Sequence, residues 1–448
     1  MQTTVRRLIS IAGMSIAGLS LSHTSTAVLA QSNPTYIPFG PAKGSLYKPD
    51  SGPAPRVALV IMHRTANYLN HTGCRELSAR GFMVLCMNNR FENNEIAVRW
   101  EQVPLDVKQG VAYLRKQPGI SKIVLFGHSG GAPTMSFYQA VAENGTGYCK
   151  GSNKLVECGD DLADLPKADG IVFADAHPGN PAIVMRGINP SILSEHGLPV
   201  GINPALDPFN PKNGYNPNGP STYSPAFQSA FFRAQAERVQ ELIISSQDKL
   251  ARIRNKAYPF PDNDLIVMPG AGNPGAGPGG SVYLAALDPT VSLNSTVQPR
   301  KLLKNNGTVV TQIARMAFAP DRLAPLTNPT FDVGTKLFSL RSFMSANAVR
   351  ATNSLDGIDH CSSNNSTVCA VQSISVPVLF AAMGAFIFIR DNEIHYEVAK
   401  SADKDYVVIE GANHGFAPCT ACEQTPGQYS NSMRNFYNYV RDWINVRF

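Results

Sequence analysis

Beyond its first thirty residues the sequence contains no apolar run approaching the roughly twenty residues that a membrane-spanning helix needs. No cluster of lysine and arginine interleaves with aromatic residues, and a net charge of +6 over 448 residues is mild, so nucleic acid is not an expected partner. No paired His/Asp motif is present, and C-T-A-C at 419–422 has no second CxxC to complete a zinc site, so no metal is expected. The glycine-rich tract MPGAGNPGAGPGG lacks the lysine and the serine or threonine of a phosphate loop, so it reads as irregular loop and no cofactor is expected. There is no internal repeat. With 43% apolar and 16% charged residues the chain is neither fibrous nor disordered.

The first thirty residues differ from the rest. Arg6 and Arg7 precede a short apolar stretch over 8–21, broken by small residues, and Val28-Leu29-Ala30 suits a cleavage site. This is the layout of a secretory signal, so residues 1–30 are expected to be a leader cut after Ala30. The mature protein is then secreted or periplasmic, without a stable membrane anchor. Eight cysteines fit such an oxidising compartment. Cys149 and Cys158, Cys361 and Cys369, and Cys419 and Cys422 fall in close pairs and are expected as local disulfides. Cys74 and Cys86 remain, and Cys86 at the end of an apolar run also fits a buried thiol.

Six short runs, at 57–62, 82–86, 123–126, 171–174, 376–381 and 406–409, are nearly continuous in Val, Ile, Leu and Phe. That pattern belongs to strands of a parallel sheet covered on both faces. Helical periodicity lies between several of them, and a wide apolar stripe from Met433 to Ile444 marks a final helix packed on the sheet. The expected architecture is therefore a doubly wound, mostly parallel α/β sheet. Residues 31–178 and 371–448 form its two parts. The span 179–370 is too long for a crossover and is expected as an inserted subdomain with a helix over 224–256.

Gly127-His128-Ser129-Gly130-Gly131 matches G-x-S-x-G between a strand ending at Phe126 and a helix over 132–143. A sharp strand-to-helix turn of this kind exposes a strained serine, and its glycines let strand and helix approach. A general base is then needed. His414, in GANHG between the last strand and the last helix, lies at the same carboxyl edge of the sheet. His63, His71, His177 and His360 are alternatives.

The G-H-S-G-G elbow together with the late G-A-N-H-G resembles the α/β-hydrolase superfamily over residues 50–178 and 370–448. The resemblance implies the chain order serine, acid, histidine, and an oxyanion hole made by the amide of Gly130. A second amide would come from the loop after the first strand, at Arg64 or Thr65. His63 is followed by Arg64 where the family has a further glycine, but a backbone donor needs no particular side chain. The acid stays open. Asp175, directly after the fourth strand, is the better geometric choice, with Glu393 and Asp391 near the next strand as alternatives. A large insertion after the fourth strand is where the family carries a cap. The expectation is a secreted serine hydrolase acting on a small or lipophilic carboxylic ester through an acyl-enzyme. A serine peptidase or amidase with the same triad, and a non-catalytic binding protein on the same fold, are the rival readings.

Overall fold

A computed structural model describes residues 33–195, 198–258, 265–268, 283–318 and 336–448. The expected leader, and the glycine-rich tract from 269 onward, lie outside the described residues. Ten strands form the main sheet: β1 (Thr35–Phe39), β2 (Ala42–Tyr47), β3 (Val57–His63), β4 (Met83–Asn88), β5 (Lys122–His128), β6 (Gly170–Ala174), β7 (Arg300–Leu303), β8 (Val309–Gln312), β9 (Val378–Met383) and β10 (Lys404–Ile409). Their order across the sheet is β1-β2-β4-β3-β5-β6-β9-β10-β7-β8. Every pairing from β4 through β7 is parallel, and the outer hairpins at each end are antiparallel. This is the doubly wound, mostly parallel α/β sheet that the sequence predicts, and each of the six apolar runs is one of its parallel strands.

Alternate residues of these strands serve two cores, which is why the runs lack polar positions. From β3, Ala58, Val60 and Met62 join one apolar cluster, while Val57, Leu59 and Ile61 join the other. The first cluster takes in helices α1 (Val103–Arg115) and α2 (Gly131–Asn144). The second takes Phe436, Tyr437, Val440, Trp443 and Ile444 of the closing helix Ser432–Arg447. That apolar stripe therefore packs onto the sheet as its periodicity required.

The span 179–370 divides. Its long helix, Pro225–Arg254, is capped by Ser224, whose side chain accepts from the Phe227 amide. That helix supplies Ala236, Val239 and Ile243 to an apolar cluster with Val184, Phe338 and Phe343, and Phe227 and Phe231 to another. The segment thus has cores of its own. Yet β7 and β8 leave it to extend the main sheet beside β10.

All eight cysteines are paired, as Cys74–Cys86, Cys149–Cys158, Cys361–Cys369 and Cys419–Cys422. Cys86 is therefore a disulfide partner rather than a buried thiol. It faces the helix Thr72–Ser78, which carries Cys74. Among the described residues no helix is long and apolar enough to cross a membrane.

Candidate active site

Strand β5 ends at His128 and α2 begins at Gly131, so the chain reverses within two residues. Ser129 stands at the tip with φ 55°, left-handed backbone that a side chain rarely adopts. The surroundings dictate the glycines. A Cβ at Gly127 would lie 2.7 Å from the Ala132 Cα, and one at Gly131 would lie 2.6 Å from the Met62 carbonyl oxygen. Both obstacles are backbone, so α2 can cross this close to β3 and β5 only over glycine.

Asp175 follows β6 directly and also has positive φ, 44°. Its amide donates to the Ala381 carbonyl at 2.7 Å, and its Oδ1 accepts from the Met383 amide at 3.0 Å. The carboxylate is thus pinned to β9 and fully buried. Its Oδ2 is 2.5 Å from His414 Nδ1, and His414 Nε2 is 2.8 Å from Ser129 Oγ. Burial pushes the Asp175 carboxyl above its usual range, while the hydrogen bond to His414 pulls the other way.

The loop that carries His414 is fixed at several points. Gly411 has φ 62°, with the Tyr429 ring where a side chain would stand. The Cys419 amide donates to the Gly411 carbonyl at 2.8 Å, closing the loop beside the Cys419–Cys422 disulfide. Phe386 stacks on the His414 ring at 4.2 Å, and Phe388 meets it edge-on at 5.7 Å.

A second set of rings supports the loop from below. The Gly73 amide donates to His71 Nδ1, His71 Nε2 lies 2.9 Å from His128 Nδ1, and His128 Nε2 lies 2.8 Å from the His414 carbonyl oxygen. A carbonyl can only accept, so His128 carries its proton on Nε2 and receives one at Nδ1 from His71. Tyr68 stacks on His71 at 4.5 Å and places its hydroxyl 3.1 Å from His128 Nδ1. Burial pushes His71 down to about 3 and His128 well below its ordinary value, so both rings are neutral at pH 7. His128 occupies the variable position of the G-x-S-x-G motif and, like Tyr68, carries no sequence signal of this role.

The other candidates lie in different places. Glu393 accepts from the Val297 and Gln298 amides and from Arg300 and Arg390. Burial alone would raise its pKa, but those donors hold it below the usual value. It anchors the start of β7. Asp391 is engaged by Arg186 Nη1 at 2.8 Å and 3.0 Å. Neither carboxylate is hydrogen-bonded to His414; each is ion-paired elsewhere, Asp391 with Arg186 and Glu393 with Arg300 and Arg390. Arg64 turns its guanidinium to Glu95 at 2.5 Å, and the Thr65 amide is taken by His63 Nδ1 at 3.1 Å. Of the two amides considered for the oxyanion, that of Thr65 is therefore engaged. His360 contacts Ser366, away from the serine, while His63 and His177 stand beside Gly130.

No family model and no curated protein matches this sequence. Among solved structures it is similar to DcsB in complex with its substrate analogue, at 12% identity over 93% of this chain and 100% of that one, with a TM-score of 0.42. The siderophore hydrolase EstB from Aspergillus fumigatus is 11% identical over 93% and 98% of the two chains, with a TM-score of 0.39. A monoacylglycerol lipase from Paleococcus ferrophilus is 13% identical over 90% and 98%, with a TM-score of 0.37. Scores and identities this low lend no weight to any particular activity.

Proposed function

We propose that this protein is a secreted serine hydrolase that cleaves carboxylic esters, with Ser129 as nucleophile, His414 as general base and Asp175 as the acid. The observation that carries the reading is the unbroken hydrogen-bonded line from Asp175 through His414 to Ser129, ending on a serine in left-handed backbone. Ser129 Oγ attacks the ester carbonyl as His414 Nε2 takes its proton. The charged imidazole is stabilised by Asp175, which also holds it in the tautomer that accepts at Nε2. The tetrahedral oxyanion is held by the Gly130 amide at the start of α2, where the helix dipole favours negative charge, with the Arg64 amide as the expected second donor. His414 then gives the proton to the departing alkoxide, leaving an acyl-serine. Water, deprotonated by the same ring, attacks the acyl carbon and releases the acid.

The four disulfides support an oxidising compartment, in keeping with the leader expected at 1–30. The inserted segment, with its own apolar clusters, is read as a cap that encloses the acyl or alcohol group and favours a small or lipophilic ester.

Fluorophosphonate labelling of purified protein, with p-nitrophenyl esters of graded chain length and matched anilides, tests this reading. Labelling and ester turnover should vanish in Ser129→Ala. Turnover of anilides but not esters would make the protein an amidase, and an active Ser129→Ala variant would end the proposal.

A further inference from the structure

His63 and His177 are almost completely buried, at 9% and 5% exposure, and flank the elbow, His63 from the end of β3 and His177 from the loop after β6. Each has one ring nitrogen committed. His63 Nδ1 accepts from the amides of Thr65 at 3.1 Å and Ala66 at 2.8 Å, and His177 Nδ1 accepts from the Gly179 amide at 3.2 Å. A neutral imidazole that accepts at Nδ1 carries its hydrogen on Nε2. Both rings are neutral: burial, reinforced by the nearby Arg64 guanidinium, pushes His63 down to about 3 and His177 well below its ordinary value.

The two Nε2–H groups therefore are donors, and among the described residues neither has a hydrogen-bond partner. They converge on one place. A Cβ on Gly130 would lie 2.5 Å from His63 Nε2 and 3.1 Å from His177 Nε2. Gly130 follows Ser129, and its Cα is one bond from the amide assigned to the oxyanion. Both Nε2 atoms thus stand against the Gly130 Cα, at a position where a side chain would not fit. Two unpartnered donors with fixed tautomers, on buried rings that meet beside the residue following the nucleophile, suit a developing negative oxygen there.

We propose that His63 and His177 donate their Nε2–H groups to the substrate carbonyl oxygen as it becomes an oxyanion at Ser129. This rests on Ser129 being the nucleophile, and it makes both histidines catalytic residues in addition to the triad. Neutral imidazoles polarise the carbonyl without surrendering a proton to it, so they act as donors throughout the cycle.

The alternative role for each ring is to tie down its own loop through Nδ1, and paired substitutions separate the two. Asparagine places its oxygen near the position of Nδ1 and keeps the loop bonds but has no group at Nε2. Glutamine places an amide nitrogen near Nε2. With p-nitrophenyl butyrate as substrate, His63→Asn and His177→Asn should each lower kcat by about 10²–10³ with KM changed less than about threefold. His63→Gln should recover at least about tenfold over His63→Asn. Folded Asn variants with kcat within about threefold of wild type would overturn the inference.

A measurement on the wild-type protein does not depend on any variant folding. A trifluoromethyl ketone that adds to Ser129 should shift the ¹⁵Nε2 resonances of His63 and His177, and unchanged resonances in the adduct would overturn the inference. Ser129→Ala assayed in parallel keeps the two claims apart. Turnover by Ser129→Ala removes the underlying reading, whereas Ser129-dependent turnover indifferent to both Asn changes removes only this one.

Discussion

The Nε2 of His128 donates to the backbone carbonyl of His414 at 2.8 Å, so the residue preceding the serine holds the residue that faces it. One imidazole thereby sets the spacing between elbow and histidine loop. Removing it leaves a part-buried carbonyl without its donor, a loss of about 1 kcal/mol. His128→Leu should lower kcat/KM by about tenfold to a hundredfold as the His414 ring drifts from Ser129. Titration of kcat/KM against substrate in the variant checks this. His71→Leu, one step further from the loop, should cost less.

The acid can be identified by comparing two kinds of loss. Asp175→Asn should leave the fold intact but reduce kcat by about 10⁴, because an amide cannot hold His414 in the tautomer that accepts from serine. Asp391→Asn should do the opposite. It strips the buried Arg186 of its counter-charge, at a cost of about 3–5 kcal/mol of stability, while the protein that remains folded turns over ester as wild type does. Thermal melts paired with active-site titration separate the two outcomes.

Much of this arrangement is legible in the amino-acid sequence. The six parallel strands announce themselves because burial on both faces leaves no room for polar residues. The serine and histidine follow from the elbow and from the edge that such strands share. The hairpin of β7 and β8 was not legible. Its exposed Val309 and Val310, and the mere pair of buried leucines at 302 and 303, carry no run of apolar residues. Glu393 looked like a candidate acid because its role, gathering Arg300 and the amides beside it, is a contact across 93 residues or more. His71 and His128 are likewise brought together from 57 residues apart, and nothing in the local pattern of either one reports the other.

The elbow glycines make a steric prediction. At Gly131 the Met62 carbonyl oxygen stands where a methyl group would go, and a strand backbone cannot rotate aside as a side chain could. Gly131→Ala should destabilise the protein by about 1–3 kcal/mol, as overpacking does elsewhere. It should also slow fluorophosphonate labelling of Ser129, since α2 gains room only by moving off β3. A Gly145→Ala control meets no steric obstacle, though its φ of 72° carries strain of its own, so it should reduce stability without slowing labelling.

Acid sensitivity follows from the buried histidines. His63, His71 and His360 are held at about 3 in the folded protein, and His128, His177 and His395 well below their ordinary value, chiefly by burial. Unfolding exposes these rings and returns them to about 6.5. Between those values the unfolded chain binds more protons than the folded one. The stability they contribute is therefore complete above pH 6.5 and is lost as pH falls. Each ring costs about 1.4 kcal/mol per pH unit within that window, so against a typical total of about 5–15 kcal/mol unfolding should occur well above pH 3. Glu101 opposes the trend. Burial raises its folded pKa to about 7, so its ionisation weakens the fold as pH rises from about 4.5 to 7. Melting temperatures measured from pH 4 to 8 should therefore fall steeply below pH 6. Glu101→Gln should raise the melting temperature at pH 8 relative to wild type and give less of that advantage at pH 5.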